Sequence, residues 1–322
     1  SNTAAIDGGA VYVDQAASVD VAGSSVRNNS AGRDGGGFYN NATATIVITD
    51  ATVTGNSAVR DGGGLFNEIV ATATLSNARF SANSATNGGG IYNQDGVVTV
   101  NGGGVFTSSS ATTTLTNTTL SGNTAVLDGG GVRNDGSMTV NSVNFAGNAA
   151  GRDGGAIHND RTLTVTQSMF TGNTAVGSGG ALDLNSIGVV SLTSSTLRGN
   201  TATVNGGAIS NNGASRLTLS EMTVDGNQAT GNGGGLFHSS SVVATVSMTT
   251  ISNNSAANGG GVSSAGPINL TNATISSNVA SADGGGLHNT STATLLGVTI
   301  ANNMATGSGG GISSNNAGGN AS

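Results

Sequence analysis

Three side chains able to do acid–base chemistry recur at one repeated position. Arg133, His158 and Asp183 are spaced 25 residues apart, and each follows an aliphatic residue that closes a glycine-rich tetrad. Acid–base catalysis needs such groups within hydrogen-bond reach of one another in a cleft. The same position also carries aromatic residues: Tyr12, Tyr39, Phe66 and Tyr92, with Phe106 after an additional glycine tetrad. A row of aromatic rings on an outward face can stack sugar rings or bury against a protein partner. A third set, Asp7, Asp34 and Asp61, stands just before the glycines. Carboxylates stacked at about the 4.8 Å strand spacing repel. Calcium, which takes carboxylate and carbonyl oxygens, would relieve that repulsion. So would Arg33, Arg60 and Arg152, each of which directly precedes an Asp of this column.

What must position these groups is a repeat. Asn-x-Ala occurs at Asn2, Asn29, Asn56, Asn83, Asn123, Asn148, Asn173, Asn200, Asn227, Asn254, Asn278 and Asn303. A Gly-Gly-(Gly/Ala)-apolar tetrad follows each of them. Apart from one interval of 40 residues, the period is 24–27 residues. Such a period signals stacked supersecondary units that share one continuous core.

Aligned on the Asn, four apolar columns emerge. One lies three residues before it (Val53, Phe80, Phe145, Ile251), two lie eight and ten before, and one follows the glycines (Phe38, Leu65, Ile157, Leu236). Leu163-Thr164-Val165 and Leu217-Thr218-Leu219 alternate with the period of a strand. No helical period is sustained, and frequent glycine opposes helix. Each coil is expected to hold about three short strands joined by tight bends. The glycines supply positive φ or close backbone approach at one corner. Copies of each strand pair in parallel, so that a dozen coils make a rod of roughly 55 to 60 Å. The Asn column reads as a structural amide ladder, each side chain donating to the next coil. The chain is expected to form one β-helix domain over 1–322. Segment 94–111, inside the long interval, is an irregular coil or an inserted loop and a place where function could sit.

Composition excludes several classes. Nine arginines, no lysine and 16 acidic residues give a formal charge of −7. Such a surface releases few phosphate counterions and is not drawn to anionic lipid, which argues against nucleic acid and membrane surfaces. No apolar run approaches the roughly 20 residues of a transmembrane helix. No signal peptide is expected, and the chain starts and stops within the repeat, so a leader or anchor would lie outside it. Cysteine is absent, which removes disulfides and thiolate metal sites and is compatible with export. Two columns of threonine read as ordinary exposed strand positions, because coil length varies and Arg79, Asn144 and Met169 interrupt them.

The signatures Phe80-Ser-Ala-Asn83, Phe145-Ala-Gly-Asn148 and Phe170-Thr-Gly-Asn173 accompany Gly154-Gly-Ala-Ile157, Gly179-Gly-Ala-Leu182 and Gly206-Gly-Ala-Ile209. Together they resemble the FxxN and GGA(I/L/V) repeats of polymorphic outer-membrane protein adhesins and related bacterial surface proteins. The resemblance covers nearly the whole chain. It implies an all-β, right-handed parallel β-helix of about 12 coils and a non-enzymatic, extracellular or cell-surface role. The expected partners are flanking parts of a longer chain or a second copy stacked end to end, with glycans or cell-surface proteins as further ligands. No cofactor is expected, with calcium at Asp7, Asp34 and Asp61 as the alternative. The rival class is a carbohydrate-active β-helix enzyme of the polysaccharide lyase or glycoside hydrolase type. It would require convergent acidic groups around Arg133, His158 and Asp183.

Overall fold

The computed structural model describes residues 1–68, 70–76, 78–93, 97–100, 105–107, 112–116, 119–185 and 187–315. It falls into two compact units, Ser1–Leu163 and Thr164–Ser322. Both are parallel β-solenoids without helix among the described residues.

A coil has four strands rather than the three anticipated. In the first unit they are Ser30–Ala31, Phe38–Asn40, Thr45–Thr49 and Thr52–Thr54. In the second they are Thr201–Ala202, Ile209–Asn211, Arg216–Ser220 and Thr223–Asp225. The additional strand is the two-residue Ser/Thr-Ala pair of the Asn-x-Ala motif, too short to show a period. Each strand pairs in register with its copies before and after it, as in Thr45↔Ser18 and Thr45↔Thr72. The aliphatic columns therefore stack like on like. Ile46, Ile48, Val53 and Phe38 are completely buried, as are Leu217, Leu219 and Ile209 in the second unit. Burying one such side chain contributes on the order of 1.5 to 3 kcal/mol.

The Asn column is an amide ladder, continuous from Asn173 to Asn303 in the second unit and interrupted in the first at the 40-residue interval, where Asn123 Oδ1 is buried without a partner. The Oδ1 of Asn56 accepts the backbone N–H and the Nδ2 of Asn29, at 3.0 and 2.8 Å. Its own Nδ2 donates to the Val26 carbonyl and to Asn83 Oδ1. Asn200, Asn227, Asn254 and Asn278 repeat the pattern. Every bond to the next Asn runs from one coil to the coil that follows, so the ladder has a direction.

The two glycines of the corner serve different ends. Gly35 has φ +67°, the left-handed region that side chains avoid. The next glycine, Gly36, lies so near the following coil that a Cβ there would sit 2.4 Å from the Gly63 carbonyl oxygen.

The 40-residue interval adds strands on only two sides of the coil. Val105–Thr107 pairs between Ile91–Asn93 and Val132–Asn134, and Val97–Val100 between Thr72–Ser76 and Thr112–Thr116. The other two sides pass the interval directly, Phe80 pairing with Leu120 and Ser84 with Thr124. Backbone bonds at that passage lengthen to 3.5 Å (Thr124 N–H to Asn83 O, Val126 N–H to Ala85 O), as expected where one side must accommodate an extra layer. The remainder of segment 94–111 lies outside the described residues, and so does any ligand-binding role of its loops.

Candidate functional site

The strand after the glycines carries the column that sequence reading singled out. Tyr12, Tyr39, Phe66 and Tyr92 are in register, and their rings stack with centroids 5.1, 4.8 and 5.0 Å apart. The side chains leave the core as anticipated, but the anticipated exposure fails. Tyr12 is 49% exposed, whereas Tyr39 is 5% and Phe66 1% exposed. The cause is local. The Asp-Gly-Gly corner folds back over this strand, so closely that a Cβ on Gly35 would lie 3.0 Å from Tyr39 Cα. On the other flank the Asn41 amide donates to the Tyr12 hydroxyl at 3.0 Å. Phe38, Tyr39 and Asn40 are consequently all buried: this side of the coil has an inner and an outer packed face. Burial raises the pKa values of the Tyr39 and Tyr92 phenols, which stay protonated. Stacked rings of this kind add about 0.5 to 1.5 kcal/mol per pair. Only Tyr12 offers a largely open ring among those whose side chains are described. The backbone of Phe106 continues the column between Tyr92 and Arg133, while its side chain lies outside the described residues.

The aspartate column is resolved by arginine. Arg33 reaches back to Asp7 with two bonds, one of 2.9 Å from Nε, and Arg60 does the same to Asp34 with Nε at 3.0 Å. Arg152 grips Asp128 likewise, Nε at 2.7 Å. The same carboxylates accept the backbone N–H of the equivalent residue one coil on, Asp34 to Asp7 at 3.2 Å and Asp61 to Asp34 at 3.1 Å. Asp61 takes the Asn87 amide at 2.8 Å and Arg60 Nε at 3.1 Å. Uncharged coils use the backbone bond, as from Asn232 to Asn205 Oδ1 at 2.8 Å, or an amide bond, as from Asn258 Nδ2 to Asn232 Oδ1 at 3.0 Å. This explains why the column accepts Asp, Asn or Ser: an oxygen is what it requires. The three carboxylates suggested for calcium are engaged by guanidinium donors together with a backbone N–H at Asp7 and Asp34 and the Asn87 amide at Asp61. No group of three or more metal-ligating side chains occurs among the described residues.

Burial raises the pKa of Asp34 and Asp61 despite their arginines. Asp128 differs: burial pushes it up, but Arg152, His158 and Arg133 together hold it below its usual value of 3.8. Its ionised form therefore stabilises the fold above about 3.8, and that contribution is lost as pH falls through the lower folded value. Replacing Arg152 with Ala is expected to cost about 1 to 3 kcal/mol, the scale of leaving a buried charged acceptor short of a donor. It should also shift acid unfolding to higher pH. Unchanged acid unfolding followed by circular dichroism would refute the assignment.

Arg133 and His158 sit in the same column. His158 is 2% exposed, and Asp183, in the second unit, is completely buried. Arg133 donates to Asp128 at 2.9 Å and to Asp135 at 3.1 Å, and lies 3.7 Å from Asp160. His158 Nε2 is 3.5 Å from Asp160. The carboxylates absent from the sequence reading are thus Asp135 and Asp160, each two residues beyond the column in consecutive coils. The visible signal was the 25-residue recurrence of Arg133-Asn-Asp135 as His158-Asn-Asp160. Burial raises the pKa of Asp135 although Arg133 opposes it. The bond from His158 lowers that of Asp160. Adjacent carboxyl groups pushed in opposite directions can divide acid and base roles. Here both are also engaged by Arg133, which equally suits a closed ionic network.

Coils of this construction define a class: repeat proteins of the parallel β-solenoid type, stabilised by in-register side-chain ladders. Within the chain, residues 142–160 and 194–212 match the Chlamydia polymorphic membrane protein repeat. Each matched stretch contains a glycine tetrad, Gly154–Ile157 or Gly206–Ile209, and the Asn that begins its coil, Asn148 or Asn200. The chain is therefore a β-helix repeat protein similar to those polymorphic membrane proteins. No curated protein and no solved structure matches it. No helix among the described residues is long and apolar enough to cross a membrane.

Proposed function

We propose that this chain is a non-enzymatic, extracellular structural or adhesive β-solenoid. It acts either as a segment of a longer surface protein or as a subunit that stacks head to tail. The observation carrying this reading is the saturation of its chemistry. The Asn, Asp and Arg side chains at repeated positions are consumed in bonds between coils rather than aimed at a ligand. The similarity to polymorphic membrane protein repeats supports the same reading, as does the lack of a metal-ligating group among the described residues. The ladder's direction requires that any added coil join head to tail. A head-to-tail contact does not close on itself and propagates into a fibre. Electron microscopy of purified residues 1–322 tests it. Fibres of uniform width establish self-stacking; monodisperse particles at high concentration remove it and leave the segment of a longer protein.

Binding of glycans or cell-surface proteins rests on Tyr12, the most exposed ring of the aromatic ladder among the described side chains. Tyr12→Ser should weaken association and leave the circular dichroism unchanged. Unaltered binding would reduce the ladder to packing.

One observation favours the second reading, a carbohydrate-active enzyme: Asp135 and Asp160 converge beside Arg133 and His158. Incubation with acidic polysaccharides, with and without calcium, decides between the two. Turnover abolished by Asp135→Asn or Asp160→Asn would overturn the structural reading.

A further inference from the structure

A second polar ladder runs at the end of the strand that carries the aromatic column. In the first unit it contains Asn40, Asn67, Asn134 and Asn159, all completely buried, with Asn40 Nδ2 donating to Asn67 Oδ1 at 2.7 Å. In the second unit the same position reads Leu184, Asn211 and His238 in consecutive coils. His238 is 0% exposed. Its Nδ1 lies 3.1 Å from Asn211 Nδ2 and its Nε2 lies 3.1 Å from the Pro267 carbonyl oxygen. An amide nitrogen can only donate and a carbonyl can only accept. The ring is therefore neutral, with its proton on Nε2.

The neighbouring amide is half used. Asn211 Nδ2 also reaches the Ser215 carbonyl at 3.4 Å, but Asn211 Oδ1 is buried without a hydrogen-bond partner. At Asn67 and Asn159 that oxygen accepts from the Asn of the preceding coil. Here the preceding coil supplies Leu184, which has no donor. A buried acceptor left without a partner has lost its hydration with no bond in exchange. The segments packed around the ring, 209–215, 239–243 and 262–268, contain only Ile, Ser, Asn, Gly, Ala, Val and Pro. No charged or other titratable side chain faces the imidazole from them, and Arg216, the charge that adjoins segment 209–215, is exposed.

We propose that His238 is an acid-operated switch in this ladder: protonation makes Nδ1 a donor and reverses its bond to Asn211, whose amide turns to bring the orphaned Oδ1 onto the ring. The turn removes the Ser215 contact and points Nδ2 at Leu184. It also leaves a buried imidazolium without a counter-ion, so the coils around Asn211 and His238 loosen in acid. Burial lowers the pKa of His238 from 6.5, against backbone contacts from Pro267 and Val242. The sign follows from that direction. The unfolded chain binds the proton more readily, so stability is complete above about 6.5 and declines as pH falls below it, until the folded value is reached.

The test uses the full chain with isotope-labelled histidine and asparagine. His238 should show the Nε2–H tautomer at pH 7.5 and titrate below 6.5, with the Asn211 side-chain amide signals moving at the same midpoint. Hydrogen exchange at Leu236–His238 should report an opening constant that rises up to about tenfold per pH unit below 6.5. His238→Asn, which restores the residue of the first unit's ladder, should abolish that rise. Titration of His238 at or above 6.5, an Asn211 amide that does not respond, or the same pH dependence in H238N would overturn the proposal. The titration decides the matter even if H238N fails to fold.

Discussion

Asn227→Leu is expected to destabilise the second unit by about 3 to 6 kcal/mol, because several buried polar groups each forfeit about 1 to 3 kcal/mol when their partner is removed. Asn227 Oδ1 accepts the backbone N–H and the Nδ2 of Asn200, both at 2.9 Å. Its Nδ2 serves the Leu197 carbonyl at 3.0 Å and Asn254 Oδ1 at 2.9 Å. Leucine has similar volume but offers none of these bonds, and it leaves little room for water to replace them. Repeat arrays do not unfold as one unit, so a global melting curve would blur the effect. Hydrogen exchange localises it: the Asn200 and Gln228 amides should lose protection, while coils distant from the change keep theirs. Thr250→Ala, on the exposed face of its strand, is the matched control and should stay within about 0.5 kcal/mol. A loss below about 1 kcal/mol at Asn227 would mean that the ladder is a consequence of coil stacking and not a contributor to it.

The ladder was legible in the sequence because stacking forces every coil to present the same side chain in the same place. A column of twelve Asn, or of Val, Leu, Ile and Phe three residues earlier, can then be read without coordinates. Features that depend on how the chain folds over itself were not legible in this way. The outward direction of Tyr39 and Phe66 follows from strand alternation. Their burial follows from the Asp34–Gly35 corner lying back across the strand, which alternation does not encode. The Arg60–Asp34 bond was foreseeable as charge compensation, although the arginine reaches the aspartate of the preceding coil as well as its own neighbour. The second ladder escaped notice because its members vary. Asn40, Leu184, His238 and Ser264 form a column only when coils are aligned on the glycines, and of these four only Asn40 carries an amide. Asp135 and Asp160 were missed for a related reason, since they lie in the bend after the strand, where loop lengths differ between coils.

Gly207→Ala should be among the most damaging single changes available, although it adds one methyl group. The first glycine of the pair, Gly206, needs its positive φ of +66°. Alanine there would pay the ordinary left-handed penalty of about 1 to 2 kcal/mol. Gly207 carries a different constraint. A Cβ at this position would lie 2.4 Å from the Gly234 carbonyl oxygen and 2.5 to 2.6 Å from the Gln228 backbone. These atoms belong to the next coil and cannot rotate aside. Gly207 and Gly234 are joined through the N–H of Gly207 and the carbonyl of Gly233 at 3.0 Å, so relief requires that parallel backbone bonds stretch. Overpacking ordinarily costs about 1 to 3 kcal/mol, and with backbone as the obstacle the cost should reach about 4 kcal/mol or more. The third tetrad position supplies the comparison. Ala208 occupies it naturally, and at Gly235 the nearest atom to a Cβ is 2.7 Å away. Gly235→Ala should therefore be milder than Gly207→Ala by at least about 1 kcal/mol, the cost of a few tenths of an ångström of overpacking. Hydrogen exchange at Ala208, Gln228 and Leu236 separates the two variants. Equal protection in both would show that the coils spread freely, and that the invariant second glycine of each tetrad does not set the distance between them.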